Sequence, residues 1–302
     1  MWFKNLRIFR LTQALSASDQ ELNDLLETKQ FQPCGKLDAL KHGWTSPLGR
    51  SGKMLSHSNG GATMLCAKRQ EKSVPSTALN EALENKIYEI REDEGRPVGR
   101  KEKQSLKDEL IFSMLPQALP RTSFEYGYVH ANDRLIYVNV ASSKKAEDFL
   151  SLLRESLGSV KAVPLGTHNP IAAVLTDWLR NGEAPSPFAL GDICELRASK
   201  DERVIRFRKH DLSADEIKQH LDTGMHVQRL SLSWKDTISF VIDEELAVKS
   251  MSFSDELMEK VSDVNSEGEA DVFDNDFAFM HAELSALTKD LLSAFGGEAD
   301  AF

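Results

Sequence analysis

The chain has 302 residues, 41% of them apolar, and a formal net charge of −10. That length suffices for a sizeable core and two or three subdomains, while no stretch approaches the roughly 20 apolar residues a membrane helix needs. The N-terminal MWFKNLRIFRL lacks the apolar centre of a signal peptide, and Cys34, Cys66 and Cys194 are far apart with no CxxC, which points to a reducing, cytoplasmic setting without disulfides or structural zinc.

Residues 2–11 alternate loosely and predict a strand. Ser16 or Ser18 then caps a helix carrying Leu22, Leu25 and Leu26 that ends near Lys29. Residues 31–61 are rich in Gly, Pro, Ser, Lys and His and predict loop with short strands, followed by a strand over 62–67. From Ser76 to Leu119 the pattern predicts a helical hairpin. Ser76 serves as cap, Leu79, Leu83, Ile87 and Ile90 recur at helical spacing, and Gly95 and Pro97 end the first helix. The second helix starts near Arg100, carries Leu106, Leu110 and Met114, and stops by Pro116 and Pro120. At 100° per residue, Arg100, Lys103 and Lys107 extend that apolar stripe toward the bend.

Two aromatic-rich strands follow, 124–130 and 135–141, joined through Asn132-Asp133 as an antiparallel hairpin. Ser143 caps a helix whose buried face is Ala146, Phe149, Leu150, Leu153 and Leu157, ended by Gly158. A short strand spans 160–165, and a helix from Asn169-Pro170 runs through Leu175 and Trp178 to Asn181-Gly182. The Glu183–Pro187 stretch reads as a linker and a domain boundary. Strands at 188–196 and 203–210 come next. Ser213 and Glu216 make a capping box for a helix to Leu221. Three strands (225–234, 237–243, 246–253) suggest a meander, and two acidic helices, 254–261 and about 276–295, complete the chain. The last buries Phe277, Met280, Leu284, Leu287, Leu291 and Leu292. Strands mixed with helices, without βαβ alternation, argue for an α+β fold of mixed antiparallel sheets.

Charge is distributed unevenly. Residues 255–302 hold 13 Asp and Glu against two Lys, a net of −11, which leaves 35 basic and 34 acidic side chains in the first 254 residues. A near-neutral body can carry local basic surfaces. Three stand out. Arg96, Arg100, Lys101, Lys103 and Lys107 surround the hairpin bend with one intervening acid, and they fit either a solvated hairpin or a tip facing a polyanion. Arg206 and Arg208 share one face of a strand, with Ile205 and Phe207 on the other and Arg203 and Lys209 adjacent; arginine suits phosphate oxygens. Lys144 and Lys145 sit at a helix N-terminus, where the dipole disfavours cations and an external anion would compensate. Aromatic residues are not interleaved with these clusters, which favours duplex backbone contact over single-strand stacking.

The sequence contains no P-loop, GxGxxG or GxSxG motif. His210-Asp211 is a weak metal signal. Asp271, Asp274 and Asp276 lack the Gly and terminal Glu of a calcium loop. The residues point to no catalytic site, metal or cofactor.

The stretches MWFKNL, FQPCG, HGW, QSLKDEL, LPQAL, ASSKKAEDFLSLLRESLGS, VPL, NPI, TDWLR, VIRFRKHDL and FGGEA, in this order along the chain, resemble the RdgC family of bacterial recombination-associated proteins. The resemblance implies a non-enzymatic protein that binds duplex DNA with little sequence preference. It implies two horseshoe-shaped subunits closing into a ring-shaped homodimer with a basic hole, a nucleoid location, and restraint of RecA-promoted strand exchange by occupying DNA. It divides the chain into a central region (1–75 and 121–182), a hairpin tip (76–120) and a base (183–302). By position, Arg96 matches the arginine of the family's Gly-Arg bend, and Lys209 the basic residue before Asp-Leu, with His210 where the family carries Gln. The LPxAF segment, which places an aromatic at one subunit contact, reads LPQAL here, with Leu119 in place of the aromatic; Met114 and Leu115, at the apolar end of the second hairpin helix, are candidates for the same contact. An alternative from another class is an interaction protein that docks on recombinase through its acidic C-terminal helices.

Overall fold

The computed structural model of the chain describes residues 2–15, 17–199, 201, 203–262 and 268–300. They form an α+β fold of two antiparallel sheets and eight α-helices. In the first sheet, β1 (Arg7–Leu11), β2 (Leu40–Thr45), β4 (Ala62–Lys72), β5 (Pro120–His130), β6 (Leu135–Val138) and β7 (Ala162–Pro164) lie in the order β2-β4-β5-β6-β1-β7, and β3 (Ser56–Asn59) also pairs with β4. In the second, β8 (Phe188–Ala198), β9 (Val204–Arg208), β10 (Met225–Trp234), β11 (Ile238–Asp243) and β12 (Val248–Phe253) lie in the order β12-β11-β10-β8-β9, so the expected meander β10–β12 is present and β9 is an edge.

One face of the first sheet is covered by α1 (Asp19–Glu27) and α4 (Ser143–Leu157). Trp44, Ile136, Phe149 and Leu153 are fully buried there, Trp44 meeting Phe149 edge-on at 5.2 Å. The opposite face shares its core with the second sheet, with α5 (Ile171–Asn181) and α6 (Asp215–Asp222), and above all with α8 (Glu269–Ala294), which follows α7 (Asp255–Ser262). Phe277, Met280, Leu284, Leu287 and Leu291 line the buried stripe of α8, which the i, i+3, i+4 spacing marks out. Phe277 packs on Tyr128 of β5, and Trp234 of β10 donates to Asp290.

Several local expectations need correction. Strand β1 begins at Arg7 because the preceding residues bridge to the other sheet: Leu6 exchanges backbone hydrogen bonds with Val248, and Lys4 accepts one from Met251. Helix α2 (Ser76–Glu94) starts one residue earlier than a Ser76 cap requires, because the Pro75 carbonyl accepts the first helical bond, from Leu79. The same holds for Ser143, since the Ser142 carbonyl takes the Ala146 N–H. No capping box forms at Ser213, whose N–H and hydroxyl both donate to Asp211 instead; α6 has Ala214 at its cap position. Ser18 does form a reciprocal box with Glu21, whereas Ser16 lies outside the described residues. Helix α8 begins seven residues before the expected start, so Asp271, Asp274 and Asp276 are helical. There His57 pairs with Asp274 at 2.8 Å and Trp2 donates to Asp276.

The hairpin of α2 and α3 (Arg100–Met114) is built differently from the body. Gly95 closes α2 in the left-handed conformation (φ 64°), as its position predicts. Only Leu79 and Leu83 of α2 are buried, and no residue of α3 is. The two helices pack mainly on each other through half-buried Ile87, Ile90, Leu106 and Leu110, which leaves Tyr88 and Phe112 exposed.

Candidate nucleic-acid interface

The hairpin bend does not present the uniform positive charge its own sequence suggests. Arg96 donates to both carboxylate oxygens of Glu102, at 2.6 and 2.7 Å, and to Glu94 at 2.5 Å. These bonds to Glu102 and Glu94 raise the Arg96 pKa, and the Arg96 guanidinium in turn lowers that of Glu102. Helix α2 ends in Glu92-Asp93-Glu94, so residues 76–119 together hold nine acids and seven bases. Arg100, Lys101 and Lys103 are exposed and Lys107 is half-buried, and none of the four forms an ion pair among the described residues. Arg100 and Lys103 thus lie open to solvent and not beneath α2. Leu119, just past the 3-10 turn Leu115–Gln117, is 87% exposed, whereas Leu115 is buried inside its own chain and Met114 is half-covered.

On β9 the period-2 reading holds: Val204, Arg206 and Arg208 face outward, Phe207 inward and Ile205 half-buried. The register sets Arg206 opposite Glu195 of β8, and the Arg206 Nε donates to Glu195 at 2.7 Å, raising the arginine's pKa. Arg203 is occupied by Asp201 at 2.6 Å. Arg208 and Lys209 form no ion pair among the described residues, and Lys209 takes a positive φ of 52° at the end of the strand. His210 packs edge-on against Phe207, and its Nε2 lies 4.0 Å from Glu216.

Sequence reasoning missed the rest of this face. Arg229 of β10 stands opposite Glu195 and reaches it at 3.7 Å, and Lys249 of β12 bonds Asp243 of β11 at 2.5 Å. Arg206, Arg208, Arg229 and Lys249 therefore line one surface whose carboxylates, Glu195 and Asp243, are buried. The signal available was the outward position of Arg229 in MHVQRLSLSW; its significance rests on cross-strand register, which no single strand reveals.

Lys145 has a partner inside the protein. Its ammonium lies 3.8 Å from Glu125, a fully buried carboxylate of β5 that His42 approaches at 3.5 Å. A buried carboxylate demands a nearby cation, so Lys145 answers an internal charge. Lys144 stays exposed beside a shallow cleft with Arg7 and Glu245, which are themselves paired at 2.9 Å. The structure thus brings Arg206, Arg208 and Lys209 together, holds Arg96, Arg100, Lys101, Lys103 and Lys107 on a separate element, and leaves Lys144 and Lys145 as a third location. Cys66 and Cys194 are buried free thiols, each pushed up to about 12 by burial.

Among the described residues, no group of three or more His, Cys, Asp or Glu is arranged to hold a metal ion, and no helix is long and apolar enough to cross a membrane. A family model described as "Putative exonuclease, RdgC" matches residues 1–298. Proteins named recombination-associated protein RdgC are similar over nearly the whole length. The one from Aeromonas hydrophila is 41% identical over 299 residues, and those from Yersinia enterocolitica and Enterobacter sp. are each 42% identical over 300, with 99% of both chains covered in every case. The family description speaks of an exonuclease, the names of the relatives of recombination. With the match spanning the chain from end to end, the chain belongs to the RdgC family.

Proposed function

We propose that this protein binds duplex DNA through its phosphate backbone, without sequence preference and without cleaving it, and thereby restrains RecA-promoted recombination. The observation that carries this reading is exposed positive charge left without an internal partner. Among the described residues, a chain of net −10 leaves Arg208 and Lys209 unpaired at one open sheet edge, beside the Glu195-bound Arg206, and Arg100, Lys101, Lys103 and Lys107 unpaired on the hairpin. Unpaired cations at a surface suit phosphates, and backbone contact carries no sequence information. The relatives' names, which speak of recombination, support the biological setting. A nucleoid-associated cytoplasmic location follows from the same reading.

Two basic surfaces more than 90 residues apart meet one duplex if subunits curve around it. In this reading residues 1–75 and 121–182 form a central region, 76–120 a tip and 183–302 a base, and two horseshoe-shaped subunits close a ring by isologous contacts. The exposed Leu119 at the root of the hairpin serves one contact, with Met114 beside it and the buried Leu115 supporting it from within. The alternative, direct docking on recombinase through the acidic C-terminal helices, has less support, because Asp274, Asp276 and Asp290 of α8 are engaged within the chain by His57, Trp2 and Trp234.

The test is a gel-shift series with random duplexes at rising salt. Log affinity is expected to fall linearly with log salt, by roughly 0.9 per phosphate contact. A flat response, or strong preference for one sequence, refutes backbone binding. Magnesium-dependent cleavage of labelled duplex would restore the exonuclease reading.

A further inference from the structure

The outer face of the second sheet has a row of alternating charge that runs across the strands. The register sets Arg206 opposite Glu195, Glu195 opposite Arg229, and Arg229 opposite Asp243, and Lys249 reaches Asp243 from β12. The two carboxylates are buried beneath the cations, while the side chains of Arg206 and Arg229 are 61% and 43% exposed. Asp243 has a structural task of its own: it accepts the backbone N–H groups of Glu245 and Ala247 as well as the Lys249 ammonium. Glu195 is shared between Arg206 and Arg229.

A purely structural ladder would match its charges one for one, and this row does not. Arg208, next along β9, adds a fourth cation and forms no ion pair among the described residues. The four cations and Glu195 line a depression of about 340 Å³, with Asp243 holding Lys249 at its margin. The Arg229 Nε–H is buried there without a hydrogen-bond partner, although its Nη1 is engaged by Glu195. With its Nη1 drawn to Glu195 at 3.7 Å and the side chain 43% exposed, the guanidinium has N–H donors left over for a second anion, and its planar fork matches phosphate oxygens.

We propose that Arg229, together with Arg208 and Lys249, holds a phosphate group in this depression, and that Glu195 and Asp243 are positioning residues that fix the cations from beneath. The inference rests on the duplex-binding reading and deepens it: the phosphate is a backbone phosphodiester, and the contact surface extends from the β9 edge inward across β10 to β12.

The experiment measures binding of a random-sequence duplex by fluorescence anisotropy at rising salt for the full-length protein and for Arg229→Gln and Arg229→Lys. Arg229→Gln is expected to weaken binding about tenfold and to reduce the salt slope by about 0.9. Arg229→Lys, which keeps the charge and loses the fork, should keep the slope and weaken binding about threefold. Thermal unfolding checks that each variant folds. Independently of any substitution, the Arg229 Nε–H resonance of the unmodified protein should shift as duplex is added. An unmodified protein that binds duplex, with both variants matching it in affinity and slope, overturns the proposal and leaves duplex binding standing. Failure of the unmodified protein to bind duplex overturns both. Displacement of the duplex by micromolar inorganic pyrophosphate would show a free phosphate ligand and overturn the assignment to the backbone.

Discussion

The hairpin tip and the outer face of the second sheet carry similar numbers of cations, but they are built in opposite ways. On the hairpin, charges of both signs share the surface of two helices, and Arg96, the most prominent cation of the bend, is held by Glu94 and Glu102. On the sheet, the acids lie beneath and the cations above, because strand pairing places Glu195 and Asp243 where arginine and lysine stems cover them. The difference teaches that net charge in a sequence window says little about the field at a surface. Depth decides which sign faces outward.

The largest expected effect tests the mechanical side of this contrast. Leu230 of β10 is fully buried on the inner face of the second sheet, and Leu230→Ala should cost about 2–5 kcal/mol in urea unfolding, whereas the half-buried Leu110→Ala in the hairpin should cost about 1 kcal/mol or less. Equal losses would mean that the hairpin is as tightly integrated as the sheet. Next in size is the charge reversal of Arg206, Arg208 and Lys209 to Glu. Duplex affinity should fall on the order of 100-fold. Thermal stability should fall too, because Arg206→Glu sets an acid against the buried Glu195. Arg208 and Lys209, exposed and unpaired among the described residues, should when reversed alone weaken binding with unchanged melting temperature, and neutralising Arg100, Lys101, Lys103 and Lys107 to Gln should cost about tenfold. The reverse order would make the tip the principal surface. Neutralising Glu269, Asp271 and Asp274, with Glu267 outside the described residues, should leave DNA binding equal or stronger.

Leu119→Asp should open the proposed ring, because a charge is costly in an apolar contact. Release from a closed circular duplex is expected to become about tenfold faster and to match release from the same duplex linearised, a loss of the difference expected for a closed ring. Equal release from circle and line by the unmodified protein rules out encirclement. A smaller effect should follow from Glu102→Gln, which leaves Arg96 held by Glu94 alone: affinity rises about threefold at low salt, and the gain vanishes at high salt.

The smallest effect separates both basic regions from the body. Lys and Arg keep their charge between pH 7 and 5.5, so a change of stability in that window comes from elsewhere. His281 of α8 is buried against Tyr128 and His130, and burial first, then His130, lowers its pKa. The unfolded chain therefore takes up this proton first as pH falls. The stabilisation is complete above the ordinary histidine value of about 6.5 and is lost progressively below it. Asp133 stays ionised there: burial raises its pKa, but the Ser285 hydroxyl, His130 and Lys289 outweigh that and lower it, so its contribution is lost only below the ordinary aspartate range. Melting temperature against pH for the unmodified protein and His281→Gln checks this. An unaltered slope in the variant removes His281 from the account.

Where one element's own period determined the outcome, the sequence was legible. The stripe of α8, the face of α4, the left-handed stops at Gly95 and Gly182 and the outward side of β9 all follow from local spacing. Caps were less so, because Pro75 and Ser142 carbonyls extend helices by one residue without a side-chain signature. What the sequence concealed was set by contacts across long separations. The Glu195–Arg229 pairing spans two strands, and Lys145 finds Glu125 only once α4 lies on the first sheet. The expectation of an unanswered cation at Lys145 failed because its partner is a buried residue 20 positions earlier.

The position of α8 between both sheets bears on how the chain folds. Phe3 donates its backbone N–H to the Met280 sulfur, Trp2 reaches Asp276, and Arg10 contacts Glu298. Residues 2–10 thus complete their packing only against residues 276–298, far along the chain. Both sheets have an open apolar face until α8 docks, so a chain stopped short of α8 keeps that apolar surface uncovered. Such a truncated chain should be captured by chaperones or precipitate, while the hairpin, which folds on local contacts, has no such delay.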